Sequence, residues 1–145
     1  MGGNEMDLTR RKALALGSAT LAIASLSGLP AFASLTDEAI TALTGGAEVT
    51  EGGIDLIAPE IAENGNTVPV EVSAPGAVEI ALFAAGNPTP AVATFKFGPL
   101  AGSRSGSTRI RLAKTQDVVA IAKMEDGSFR KASATVKVTI GGCGG

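Results

Sequence analysis

The 145-residue sequence has no histidine, no tryptophan, no tyrosine and a single cysteine. Each absence removes a class of chemistry. Without histidine there is no Ser-His-Asp triad, no Cys-His pair and no imidazole general base. Zinc and copper centres draw on several Cys or His ligands, which one cysteine does not supply. Carboxylates remain available for calcium, but no D-x-D-x-D-G run occurs. The net charge is −2 and the only aromatics are five phenylalanines, so nucleic acid is not an expected partner.

What is present begins with a targeting pattern. The segment TRRKALALGSATLAIASLSGLPAFA has a charged start, an Ala/Leu-rich stretch from Ala13 to about Leu26, and Ala31-Phe32-Ala33 as a small-x-small cleavage site. The apolar run is shorter than the ~20 residues of a membrane span and is diluted by Ser, Thr and Gly, so no anchor is expected in the mature form. Residues 1–33 are therefore expected to be a removed signal peptide. Arg10-Arg11 resembles the twin-arginine export motif, with Ala13 where a Phe usually sits. The exported chain would start at Ser34.

Charge is unevenly distributed along that chain. Residues 34–95 hold nine acidic side chains and no basic one; residues 96–145 hold nine basic and three acidic. Two outcomes follow. The halves pack side by side and the charges interleave on one surface, or the second half forms a basic face for anions or an acidic partner.

The mature chain opens with SLTDEAITALTGG, in which Leu35, Ala39, Ile40 and Leu43 share a helical stripe. Asp37 and Glu38 are expected in the first turn, and Gly45-Gly46 gives a stop signal. The stripe must be buried, on the domain itself or on a partner. The period then changes to two. GIDLIAP alternates about Ile54 and Leu56, and VPVEVSA about Val68, Val70 and Val72. Pro69 lacks an N–H and places that strand at an edge or near its own start. AVEIALFAAG, AVATFKF, TRIRLA, DVVAIAKM and FRKASATVKVTI follow. Asn64-Gly65 reads as a turn, GPLAGSRSGS as a loop, and Asp126-Gly127 as a two-residue type I′ hairpin turn. About seven strands at short spacing predict an all-β, immunoglobulin-like sandwich over residues 34–140, with one short N-terminal helix. Its core is rich in Val, Ile and Ala, and one sheet is expected to be incompletely covered.

The chain ends in IGGCGG. Gly141, Gly142, Gly144 and Gly145 frame Cys143, and glycine is the costliest residue to order, so residues 141–145 are expected to be a flexible arm. From Ile140 to Cys143 the arm extends ~10 Å. A solvated thiol has a pKa of ~8.5, and nothing in the sequence activates it. A thiol presented on an arm and activated elsewhere is the chemistry of a covalent carrier, since tethering keeps an intermediate at fixed reach. An intermolecular disulfide, a lipidation or crosslinking site, and an incidental cysteine are competing readings. A terminal thiocarboxylate on Gly144-Gly145, as in ubiquitin-like sulfur carriers, is disfavoured by the export signal and the strand pattern.

The export signal, the segment Ile61 to Val70 (IAENGNTVPV) and the terminal GGCGG together resemble the SoxY family, sulfur carriers of the periplasmic thiosulfate-oxidising Sox system. The resemblance extends over essentially the whole mature chain. It implies an immunoglobulin-like sandwich in a heterodimer with a SoxZ-like subunit, with Cys143 as the site of covalent substrate attachment. It further implies transient visits to a SoxAX-like haem enzyme, a SoxB-like two-metal hydrolase and a SoxCD-like enzyme where one exists. No metal, haem or other cofactor is implied on this chain. Arg104, Arg109 and Arg111 remain open between roles toward an anionic cargo and ordinary solvated charge.

Overall fold

The structure, a computed structural model, describes residues 31–140, with side chains from Ser34 onward. Helix α1 (Ala31–Thr44) is followed by nine strands: β1 (Val49–Glu51), β2 (Asp55–Ile57), β3 (Ile61–Ala62), β4 (Val68–Ser73), β5 (Ala77–Ala84), β6 (Ala91–Lys96), β7 (Ser105–Ile110), β8 (Gln116–Met124) and β9 (Phe129–Val138). They form two facing sheets. The larger has the order β1-β9-β8-β5-β6, with β3 also on β9, and the smaller has the order β2-β4-β7. The pairings β1–β9 and β3–β9 are parallel, and all others described are antiparallel. The expected all-β sandwich with one short helix is the fold. Two strands beyond the seven expected, β1 and β3, are three and two residues long, too short for an alternation to register.

Period-two patterning builds the core. Val68, Val70 and Val72 of β4 face Ile80 and Leu82 of β5, Val118 and Ala120 of β8, and Val136 of β9, with Ile110 and Leu112 closing one end. Most of these are fully buried, each such Val, Ile or Leu contributing about 1.5–3 kcal/mol. The larger sheet is buried on its other face too. Ala81, Phe83, Val119, Ile121 and Phe129 pack beneath Ala39, Ile40 and Leu43 of α1 and Val49 of β1. Ala39, Ile40 and Leu43 of the helical stripe are thus covered by the domain itself, and Leu35 is not.

Several local expectations are corrected. The helix already spans Ala31–Thr44 where the described residues begin, rather than opening near Ser34. Asp37 and Glu38 consequently lie past the first turn, which holds no acidic residue. Leu35 is left 39% exposed, while Thr36, 4% exposed, lies against the sheet and donates to the Ala85 carbonyl at 3.4 Å. Pro69 belongs to the middle strand of the smaller sheet, not to an edge strand, but it lies one residue from that strand's start, as the other alternative expects; β2 pairs only residues 71–73, so no described strand flanks Pro69 on that side. Part of the Gly/Ser-rich segment read as a loop is the start of β7. There Gly106 is required by contact, because a Cβ would lie 2.6 Å from the Phe95 ring.

The β8–β9 turn is not type I′. That turn needs positive φ at two successive residues, and only Gly127 (φ 85°) has it here. The Gly127 N–H donates to Met124 O (3.0 Å) and the Met124 N–H to Ser128 O (2.8 Å), closing a three-residue loop whose αL position is Gly127. The Asp126 carboxylate accepts from the Ser128 Oγ–H (2.6 Å) and N–H (2.8 Å). The Ser128 hydroxyl bond, then its amide bond, hold the Asp126 carboxyl below its ordinary pKa of 3.8.

Of the two outcomes for charge, the structure gives interleaving. Glu79 is flanked across the ladder by Lys96 and Lys123, Glu71 sits two residues along β4 from Arg109's partner Pro69, and Lys131 lies 3.8 Å from Glu51.

Candidate functional site

Cys143 and its glycines Gly141, Gly142, Gly144 and Gly145 lie outside the described residues, as do Arg10 and Arg11. The structure does describe the place from which the C-terminal segment departs. Strand β9 leaves its partner β8 at Val136, which is opposite Gln116. The next four residues are held by other elements. Lys137 N–H donates to Glu60 O (2.9 Å) and Thr139 N–H to Ala62 O (3.0 Å), while Gly65 N–H donates to Ile140 O (2.8 Å). On the opposite side Val138 N–H donates to Thr115 Oγ1 (2.9 Å). The Thr139 hydroxyl donates to Glu63 O (3.1 Å).

The segment making these bonds is itself fixed. Ala62 is buried in the core, Asn64 Oδ1 accepts from Asn66 N–H (3.0 Å) in a local side-chain turn, and Gly65 O accepts from Leu112 N–H (2.7 Å). Gly65 therefore joins the end of β9 to the chain just beyond β7, tying the two sheets together at the departure point. Asn64-Gly65 is a turn, as the sequence predicts. Its bonds to Ile140 and Leu112, and those of Thr115 and Thr139, connect residues 23 or more positions apart, and no local pattern signals them.

A second polar knot lies near the same end of the sandwich. Asn87 is 6% exposed; its Nδ2 donates to Arg111 O (2.7 Å), and its Oδ1 accepts from Ala113 N–H (3.0 Å) and Gln116 Nε2 (2.9 Å). Gln116 Oε1 accepts from Gly86 N–H (2.8 Å). These bonds hold the turn after β7 that in turn receives Gly65.

The three arginines have different surroundings. Arg104 is structural: it donates to Gly98 O and to Glu125, and lies over the Phe97 ring. Arg109 is exposed on the outer face of β7, with Thr67 Oγ1 at 3.5 Å. Arg111 is exposed beyond the end of the strand. Arg109 borders an open groove of about 600 Å³ on the outer face of the smaller sheet, whose lining includes Ile57, Pro59, Pro69, Glu71 and Ser107. Ile57, Ile61 and Ile140 are 62%, 59% and 68% exposed. Ile57 lies beside the groove on the smaller sheet, the incompletely covered sheet that the small-residue strand pattern predicts, whereas Ile61 of β3 and Ile140 beyond β9 lie with the larger sheet.

Among the described residues no group of three or more His, Cys, Asp or Glu side chains is placed to hold a metal ion. No described helix is long and apolar enough to cross a membrane.

Comparison with known proteins gives one family. The model of the family described as sulfur oxidation protein SoxY matches residues 40–143, a span that ends on the cysteine. Among solved structures, the sulfur carrier protein SoxY from Chlorobium limicola f. thiosulfatophilum matches with 41% identity, a TM-score of 0.65, and coverage of 74% of this chain and 99% of that one. Superoxide reductase (neelaredoxin) from Ignicoccus hospitalis matches with a TM-score of 0.53 at 19% identity, covering 60% of this chain and 80% of that one. The latter likeness is one of fold alone. A search of curated proteins found no match.

Proposed function

This chain belongs to the SoxY family of sulfur oxidation proteins, and from that premise we propose that it carries thiosulfate-derived sulfur covalently on the thiol of Cys143. The observation that supports the reading best is the extent of the family match, which runs unbroken from α1 to Cys143. The sequence inventory agrees with it: with no histidine and no second cysteine, a lone thiol has no partner in the chain to make it a catalytic centre. The chain is then not an enzyme but the holder of substrate for enzymes.

The chemistry balances as follows. A SoxAX-like haem enzyme joins the Cys143 sulfur to the sulfane sulfur of thiosulfate. The thiol proton goes to solvent and an electron pair passes to the haem enzyme, leaving a cysteine S-thiosulfonate. In a SoxB-like hydrolase water attacks the terminal sulfonate sulfur. The bond from that sulfur to the sulfane sulfur breaks, sulfate leaves, and a persulfide stays on Cys143. A SoxCD-like enzyme, where present, takes six electrons from the remaining sulfur to its own electron acceptor, with three oxygens from water making a sulfonate and protons going to solvent, and a last hydrolysis releases sulfate and restores the thiol. A SoxZ-like sandwich subunit is the proposed stable partner. Residues 1–33 serve as a twin-arginine signal that delivers the protein to the periplasm, and residues 141–145 serve as the flexible arm.

Mass spectrometry of the C-terminal peptide from protein purified from its source tests the carrier reading. Additions corresponding to sulfur, thiosulfonate or sulfonate on Cys143 are expected. A reductant-sensitive disulfide dimer as the sole modification would instead mark a structural subunit. Cys143→Ser should keep the fold and support no thiosulfate oxidation in a reconstituted system; retained turnover refutes the mechanism.

A further inference from the structure

The segment Glu60 to Gly65 carries no chemistry of its own, yet its hydrogen bonds converge on the four residues that precede Gly141. We propose that this segment, with Thr115 and Thr139, is a clamp that sets the pivot of the C-terminal arm; the inference rests on the reading of residues 141–145 as a carrier arm.

Three observations lead there. First, the ladder between β8 and β9 ends at Val136, four residues short of Ile140. Second, each of those four residues is held from outside that ladder: Lys137 by Glu60, Val138 by Thr115, Thr139 by Ala62 and Glu63, and Ile140 by Gly65. Third, β3 is a strand of two residues that, among the described residues, pairs with Lys137 and Val138 alone. Burial alone does not account for it, because Ile61 is 59% exposed and only Ala62 reaches the core. The parallel pairing places β3 alongside the outgoing chain, and Gly65 follows to close on the last carbonyl.

The consequence is a defined arm length. With the clamp closed, three residues separate the fixed point at Ile140 from Cys143, a reach of ~10 Å. Without it the fixed point retreats toward Val136 and the free length roughly doubles. Effective concentration at a partner's site falls as about the −3/2 power of length, so presentation weakens roughly threefold. Thr115, Thr139 and Gly65 are positioning residues: they touch no substrate and act through where the arm begins.

The test uses the full chain with its SoxZ-like partner. Thr115→Val/Thr139→Val removes both hydroxyls while keeping β-branched side chains at exposed positions; Thr115→Ser/Thr139→Ser restores them. A nitroxide on Cys143 and another on an Ala42→Cys substitution, on the exposed side of α1, report the spread of distances between arm and domain. That spread should widen in the valine pair and return to the original width in the serine pair. Equal widths in all three proteins overturn the clamp. In parallel, unlabelled protein without Ala42→Cys is loaded with thiosulfate by a SoxAX-type enzyme. The valine pair removes the hydroxyl bonds but keeps the backbone bonds of Glu60, Ala62 and Gly65, so it should raise KM for the carrier by up to about threefold and leave kcat unchanged. A widened spread with unaltered KM overturns the role in presentation. Failure of the unaltered chain to load refutes the carrier reading, and the distance measurement still decides the clamp. Should the valine pair not fold, amide exchange in the unaltered protein decides. The Gly65 and Thr139 amides should be as protected as those of the β8–β9 ladder, and free exchange at both overturns the proposal.

Discussion

Gly106→Ala isolates one steric contact. Gly106 lies inside β7, opposite Val72 of β4, and its φ is not positive, so alanine meets no backbone strain there. The added Cβ would stand 2.6 Å from Cδ1 and Cε1 of Phe95 and 2.9 Å from Cγ, distances that no relaxed contact adopts. The ring must move, and it is half-buried against the core cluster rather than free in solvent. Overpacking of this kind costs about 1–3 kcal/mol. Against it stands the lower chain entropy of alanine in the unfolded state, worth about 0.4–1 kcal/mol. The net expectation is a loss of about 1–2 kcal/mol, or a fall in Tm of roughly 4–8 °C for each kcal/mol in a domain near this size. With no Trp or Tyr to fluoresce, denaturation is best followed by far-UV circular dichroism. The decisive measurement is the double-mutant cycle with Phe95→Ala. In the Phe95→Ala background the ring is gone, so Gly106→Ala should become neutral or stabilising. An equal cost in both backgrounds refutes the contact as the reason for the glycine.

Two further outcomes are expected. Asn87→Ala leaves the Arg111 carbonyl and the Ala113 N–H without their partner in a part-buried site, while Gln116 Nε2 keeps its bond to Lys114 O, and should cost about 1–3 kcal/mol in denaturant unfolding; a loss below about 0.5 kcal/mol contradicts the network. The Asp126 carboxyl should titrate below 3.8 by NMR, and Ser128→Ala should move it up toward that value. Because the folded pKa is depressed, the stabilising contribution is present above the unfolded pKa and is lost as pH falls through the folded one; an unmoved midpoint in Ser128→Ala discounts the hydroxyl.

What the sequence made legible follows the range of each interaction. Alternation about Val68, Val70 and Val72 and the stripe of Ala39, Ile40 and Leu43 are local periodicities, and both predicted their buried faces. The strands β1 and β3 are too short to show a period and exist because β9 offers an edge to them. Gly106 looked like loop composition because its reason, the Phe95 ring, lies on another strand. Asp126-Gly127 carries the dipeptide of a two-residue turn, yet Gly127 alone takes the left-handed conformation and Asp126 bonds to Ser128. At the candidate site, Cys143 and its glycines stand out by composition, whereas the clamp at their root does not. Thr115, Thr139 and Gly65 are ordinary residues whose partners lie far away in the chain.

The parallel pairing of β1 and β3 with β9 also orders events in synthesis. Residues near 50 and near 61 find their strand partners only near 130 and 137, so β1 and β3 cannot pair until the final strand has been made, whereas β2 pairs with the nearby β4. Such long-range closure is slow to form and comes late. A chain cut short anywhere before Val138 lacks both the thiol and the edge on which β3 pairs. Every molecule that bears the cysteine therefore has the whole sheet available to it.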